Sequence, residues 1–314
     1  MLLVTVFNIW LLSNENILFK ELNLVDVKDI PDDFYNFLLH KLKTIFELHK
    51  DEDKNNIKGS YFRLYNFIWD RAYIKKAILT IPYNSSSRSV NDYIAKSLIP
   101  AFFDKDNDCY WYTDTETNTT VLINTFDINL LIKTLKEIIF NGFVKIKKLS
   151  KYLKNIAKLF FIINQSITWN LPSGLVVNQS YLETRYTTIN PFIYSKSKLS
   201  ISVTGKGVYS KNIQIRSLMP NLIHYLDASS LCLLYEQFSP DDFIPQFFSV
   251  QDCFDTICEK VNALKTILAS VYTDLYSSEP YLNKFDRDIF EYISSKTVYE
   301  VVREDRSITI KVNT

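Results

Sequence analysis

The stretch Arg71 to Asn84, RAYIKKAILTIPYN, decides how the chain is read. Arg71 and Lys75 are four residues apart, so on a helix both cationic heads leave one face, a turn apart. Tyr83 follows about two turns after Lys75, and Ile78 and Leu79 are free to face a core. Pro82 lacks an N–H and clashes with the turn before it, which predicts that the helix loosens around Thr80 and Ile81. The tyrosine is then presented at a helix end.

Two donors and a ring in that order suit a nucleoside triphosphate. An arginine forks onto phosphate oxygens, a lysine adds a point charge, and a ring lies near base and sugar. Taken alone, the same spacing is more commonly a solvated Arg/Lys face with a half-buried tyrosine, because no metal or glycine geometry constrains it.

Bulk properties narrow the class. The chain has 314 residues, 47% apolar and 15% aromatic, which suits a packed protein with a sizeable core or two lobes. A net charge of +1 advertises no polyanionic partner, so any nucleic-acid surface must come from local clustering. Five glycines beside abundant Asn, Lys, Ile, Tyr and Phe are the usage of an AT-rich gene. Cys109, Cys232, Cys253 and Cys258 are too few and too irregular for a disulfide framework, and His40, His49 and His224 offer no zinc spacing. A reducing compartment is expected. Met1 to Leu12 is apolar apart from Thr5 and Asn8 but falls short of the ~20 residues a bilayer span needs. It also lacks a basic leader, so neither a membrane nor a secretory signal is expected.

In chain order, helical periodicity marks Asn8 to Leu18 and Phe34 to Leu48, with Asp32 and Asp33 at the start of the latter. Lys50 to Lys58 reads as a polar turn, Tyr61 to Leu79 as a helical region, and Val90 to Phe103 as a helix ended by Pro100. Asp104 to Thr120 reads as loop with strand fragments. Its acids Asp104, Asp106 and Asp108 lack the glycine and distal glutamate of a calcium loop. Phe126 to Phe143 is an amphipathic helix that runs into Lys145, Lys147, Lys148, Lys151, Lys154 and Lys158. That basic run is either a face tracking phosphates or a solvated one.

Ser166 to Tyr181 switches to strand chemistry around a Pro172-Ser173-Gly174 turn. Leu199 to Ile215 predicts a hairpin about Gly205-Lys206-Gly207, and Met219 to Leu234 a helix. Phe247 to Phe254 predicts a short buried strand, Val261 to Tyr276 and Phe285 to Ile293 two helices, and Ser307 to Val312 a last strand.

Four stretches then line up in order: Rx3Kx7Y at Arg71 to Tyr83, the Trp169 to Gly174 turn followed by Gln179 and Tyr181, PNxxH with Asp227 at Pro220 to Asp227, and Asp252. As a set they resemble the single-subunit RNA polymerases of phages and mitochondria. The IPYN ending looks most like the branch carried by linear mitochondrial plasmids of fungi. The resemblance spans roughly Asn8 to Ile293 and implies an α+β fold: right-hand polymerase fingers and C-terminal palm, mainly helical with a small antiparallel palm sheet. It implies a palm-proximal helix in residues 1–24, fingers with the nucleotide-binding helix and hairpin in 25–223, and palm in 224–314.

The implied activity is DNA-templated RNA synthesis from ribonucleoside triphosphates by two-metal nucleotidyl transfer. By resemblance, Arg71 and Lys75 hold the incoming phosphates, while Tyr83 stacks near the nascent base pair and helps choose ribose. His224 contacts the 2′-hydroxyl, and Asp252 is one of two aspartates that bind the Mg²⁺ pair. The implied catalytic set is Asp252, Lys75 and Tyr83, and the implied location is the mitochondrion. The hairpin at Leu199 to Ile215 occupies the position of the family's promoter-reading loop, although its Lys206 and Lys211 are more commonly solvated lysines. Implied partners are a DNA template, an RNA product and ribonucleotides.

Two departures qualify the match. The family carries histidine immediately before the metal-binding aspartate, and Gln251 stands here. The family's first metal-binding aspartate lies in an Asp-Gly motif, and no Asp-Gly step occurs near the N-terminal helix; Glu15, Glu21 and Asp26 are the nearest acids. The expectation is a C-terminal portion, inactive alone or completed by a separately encoded N-terminal part. Two other readings stay open. One is a DNA polymerase of the related right-hand family, which shares the Arg-Lys-Tyr helix; the other is a non-catalytic remnant that binds nucleic acid. In the polymerase reading, Lys75, Tyr83, His224 and Asp252 are expected to converge on one cleft.

Overall fold

The computed structural model describes residues 33–51, 59–67, 69–98, 102–105, 109–113, 120–189, 199–238, 247–250, 253–277, 281–295, 299–304 and 307–312. Their contacts form two compact units that divide between Ser150 and Lys151. Described elements are mostly helices, with small antiparallel sheets, in keeping with the α+β expectation. The proposed helix at Asn8 to Leu18, most of the Lys50 to Lys58 turn, and Asp106 and Asp108 lie outside the described residues.

In the first unit, α1 (Phe34–His49) starts on Asp33, whose carboxylate accepts the Tyr35 N–H at 2.9 Å. Leu38, Leu42 and Phe46 recur at helical spacing and are fully buried. The expected helical region at Tyr61 to Leu79 is two helices, α2 (Ser60–Asn66) and α3 (Arg71–Thr80). Between them Asp70 adopts extended backbone and caps α3 by accepting the Ala72 N–H. The Trp69 indole donates back to the Leu64 carbonyl at 2.9 Å. A polar residue that competes for backbone N–H groups starts a helix better than it continues one.

Helix α4 (Ser87–Ser97) is capped by Ser86 and is shorter than expected. Phe102 and Phe103 belong instead to β1 (Phe102–Asp104), which pairs with β2 (Cys109–Thr113), which in turn pairs with β3 (Thr120–Asn124). Pairing with β2 satisfies backbone groups that a helix end would leave open. Helix α5 (Thr125–Gly142) opens with a reciprocal capping box between Asn124 and Asp127. Helix α6 (Val144–Ile162) carries the basic run across the boundary between the units.

In the second unit, β4 (Ile167–Asn170) and β5 (Val176–Gln179) form the expected hairpin. Gly174 supplies φ +82°, a conformation that disfavours any side chain, and its N–H bonds the Leu171 carbonyl at 2.9 Å. Trp169 is buried edge-on against Phe285, with ring centroids 5.8 Å apart.

The hairpin expected within Leu199 to Ile215 is different. Gly205 to Gly207 lie inside β7 (Leu199–Tyr209), a strand paired with β6 (Leu182–Ile189) to make a longer ribbon, and helix α7 (Lys211–Phe238) follows directly. Ser200 to Val203 and Gly207 to Tyr209 are exposed or half-exposed, and once a long partner strand is available its pairing overrides the local glycine signal.

The Phe247 to Phe254 segment is also two strands, β8 (Phe247–Val250) and β9 (Cys253–Thr256), paired with Val250 opposite Cys253. None of their residues is fully buried. Helices α8 (Val261–Ser277) and α9 (Tyr281–Ser294) follow, and the last strand β11 (Ser307–Val312) pairs with β10 (Tyr299–Glu304). No described helix is long and apolar enough to cross a membrane.

Candidate functional site

Helix α3 ends at Thr80, with Ile81 as its C-cap, where Pro82 makes continuation unfavourable. The chain turns through Tyr83 to Asn84, whose φ is +59°, and the Asn84 N–H bonds the Ile81 carbonyl at 3.0 Å. Asparagine tolerates this left-handed backbone better than most side chains. The buried Ser150 hydroxyl on α6 donates to Asn84 Oδ1 at 3.0 Å. Tyr83 is therefore held, half-buried, on a pinned turn at the helix end.

Arg71 and Lys75 do share a face, and the ring beneath them is Tyr35 of α1. The guanidinium carbon lies 4.9 Å and the ammonium 5.8 Å from its centroid. Arg71 Nε also pairs with Asp33 at 2.6 Å. Burial pushes the Tyr35 phenol up to about 12, a rise that the Arg71 charge partly opposes and the Asp33 carboxylate adds to. Sequence reading missed Tyr35 and Asp33. The only trace of them was the helix-start acid, because contacts between residues this far apart in sequence leave no periodic signal.

His224 and Asp227 lie on α7 in the second unit; His224 is exposed and Asp227 half-buried. Pro220 sits inside this 28-residue helix, and two amides, the buried Gln214 before it and the half-buried Asn221 after it, tie the helix to β5. Gln179 Nε2 donates to Gln214 Oε1 at 2.7 Å and to the Gln214 carbonyl at 3.1 Å. Asn221 Nδ2 donates to Gln179 Oε1 at 2.9 Å and to Tyr181 Oη at 3.2 Å. Gln179 and Tyr181, singled out in the sequence beside the Trp169 turn, thus tie β5 and its flank to the PNxxH segment.

Asp252 and Gln251 lie outside the described residues, between the paired strands β8 and β9. Among the described residues no group of three or more His, Cys, Asp or Glu side chains could hold a metal ion. The structure brings Arg71 and Lys75 together and sets Tyr83 on the turn that ends their helix; His224 belongs to the other unit.

Residues 11–314 match the model of the DNA-dependent RNA polymerase family. The chain is 36% identical over 291 residues to a probable DNA-directed RNA polymerase of Podospora anserina, covering 91% of this chain and 30% of that protein. It is 26% identical to a probable DNA-directed RNA polymerase of Neurospora crassa, over 90% of this chain and 32% of the relative. A third relative, DNA-directed RNA polymerase 1, mitochondrial, of Arabidopsis thaliana, is 22% identical over 78% of this chain and 23% of its own length. The chain thus spans about a third or less of these relatives. With the family model matched over nearly its whole length, and the Arg71-Lys75-Tyr83 pattern mounted on a helix and its closing turn, this chain belongs to the DNA-dependent RNA polymerase family.

Proposed function

We propose that this chain supplies the nucleotide-binding fingers and later palm of a single-subunit RNA polymerase that copies DNA into RNA. In this reading Arg71 and Lys75 neutralise the incoming triphosphate, Tyr83 lies against the nascent base pair, and His224 contacts the ribose 2′-hydroxyl. The observation that carries it is the pairing of Arg71 and Lys75 over Tyr35, with Tyr83 on the turn that closes the same helix. Two cations held by a shared ring and a nearby carboxylate are preorganised donors, and preorganised charge is what stabilises a reacting phosphate.

Asp252 is the residue assigned to Mg²⁺, which when bound stabilises charge on the attacking and leaving oxygens of nucleotidyl transfer. A hard divalent cation pair takes carboxylate oxygens from more than one place. No Asp-Gly step occurs in these residues, so the second carboxylate is assigned to an Asp-Gly-bearing polymerase segment outside them, without which they are inactive. The β6–β7 ribbon is assigned to promoter reading, since a two-stranded ribbon fits the major groove. The family relationship and the mitochondrial name of the Arabidopsis relative favour a mitochondrial location.

The test is a titration of the chain with GTP and dGTP, followed by primer-template extension after addition of an Asp-Gly-bearing polymerase segment. Ribonucleotide binding that falls at least tenfold in Lys75→Ala, with extension only in the mixture, is the expected result. Preferential use of deoxynucleotides would make it a DNA polymerase instead. Nucleic-acid binding with no extension in any mixture would make it a non-catalytic remnant.

A further inference from the structure

A second cationic site lies in the first unit, on residues distinct from Arg71, Lys75 and Tyr83. Helices α5 and α6 and the start of α4 enclose a half-open groove of about 550 Å³, within the roughly 300–1,000 Å³ of small-ligand clefts. Lys133, Lys136 and Lys147 line it, with Glu137 as its one acid. Its apolar wall is the buried Ile132 and the half-buried ring of Phe140.

The cations are not equivalent. Lys133 is exposed and lies 4.0 Å from Glu137. Lys147, from the basic run of α6, is exposed and donates to Asn141 Oδ1 at 3.1 Å. Lys136 is half-buried, and its ammonium donates to the neutral hydroxyl of Ser87 at 2.8 Å. Burial pulls Lys136 below the usual lysine range, which is the state an incoming anion would relieve. Ser87 opens α4, so the positive end of a helix stands at the rim.

Three ammonium groups against one carboxylate call for an anion of more than one charge, or a chain of them. An aromatic ring beside a cationic groove is the combination that takes a nucleotide's phosphate and base together, without reading sequence. A duplex hides its base faces and would leave Phe140 unused. We propose that this groove holds one nucleotide unit of a single-stranded polynucleotide, its phosphate among Lys136, Lys147 and Lys133 and its base over Phe140. The shared chemistry is the phosphodiester with an unstacked base; the strand is DNA or RNA. The assignment goes beyond the reading of the nucleotide-binding helix and does not depend on it.

The experiment is fluorescence anisotropy of the whole chain with labelled oligo(dT), oligo(U) and a blunt duplex across a salt series. Lys136→Gln/Lys147→Gln is expected to weaken single-strand binding about tenfold and to flatten the log–log salt dependence by roughly 1.4, two contacts at about 0.7 each. Phe140→Ala is expected to weaken it about tenfold while leaving duplex binding unchanged. Lys151→Gln/Lys158→Gln removes the same charge from exposed positions on α6 and is the control, with little effect. The tighter of oligo(dT) and oligo(U) identifies the strand.

Equal losses in the groove and control variants overturn the proposal, as does a duplex that responds like the single strands. If replacing Lys136 lowers the melting temperature, Lys133→Gln/Lys147→Gln carries the same test from two exposed positions. GTP affinity of the groove variants is expected to match the parent chain, so a failure here is distinguishable from a failure of the polymerase assignment.

Discussion

Arg71 on α3 and Asp33 at the start of α1 form an ion pair, Nε to Oδ2 2.6 Å, so the cap of one helix also anchors the cation of another. The two side chains are 42% and 28% exposed, so the pair itself contributes little stability. Asp33→Asn keeps a good cap and is expected to cost less than about 1 kcal/mol. Asp33→Ala loses cap and pair together and is expected to cost about 1 kcal/mol more. Urea denaturation of both variants decides; equal losses would mean that the cap contributes nothing.

Tyr35 beneath that pair predicts a pH dependence. Its folded-state value, about 12 against an ordinary 10.0, means that the folded chain keeps a proton that the unfolded chain releases. The contribution is fully present below about pH 10 and is lost as the pH rises through 12, amounting to roughly 3 kcal/mol. Tyr35→Phe removes the titrating group. The difference in unfolding free energy between parent and variant is therefore expected to shift by about that amount between pH 9 and 12, and a constant difference would contradict the argument.

Asp127 is fully buried and accepts from Arg63 Nε and Nη2, both at 2.8 Å, while accepting the Asn124 N–H as part of the α5 capping box. Asp127→Ala removes the buried half of the ion pair with Arg63 and opens the helix start, at an expected cost of about 3 kcal/mol. Arg63→Met/Asp127→Leu removes both charges and is expected to lose less than the single Asp127 variant. Thermal melts of the three chains test the ordering.

Gln179 joins β5 to α7 through Gln214 and Asn221 and is 3% exposed. Gln179→Leu removes the donor to the buried Gln214 Oε1 and one of the two acceptors of the Asn221 amide, which is expected to cost about 1–3 kcal/mol. Gln179→Leu/Gln214→Leu removes the buried partners together and is expected to recover part of that loss. A double variant no more stable than the single one would show that the amides act independently.

Much of the helical framework was legible in the sequence, because amphipathic repeats and caps are local. Phe34 to Leu48, Phe126 to Phe143, the basic run of α6 and the Trp169 to Gly174 turn all lie where periodicity and turn chemistry put them. The end of α3 at Thr80 follows from Pro82. Where reading failed, a remote partner decided: β6 claims the Gly205 to Gly207 segment for a long ribbon, and β2 claims Phe102 and Phe103 from a helix. The β8–β9 reversal escaped because residues of intermediate burial on both strands mimic one apolar run.

The sequence by itself determined the family, since residue identity at fixed spacing survives without coordinates, and it placed Arg71, Lys75 and Tyr83 on one helix and its exit. Only the tertiary structure decided what those cations rest on, and that Lys136 is half-withdrawn from water in a groove with Lys147 and Phe140. The reason is physical. Spacing along a chain dictates which side chains share a face, whereas burial, ion pairing and shared rings depend on segments that meet only after folding.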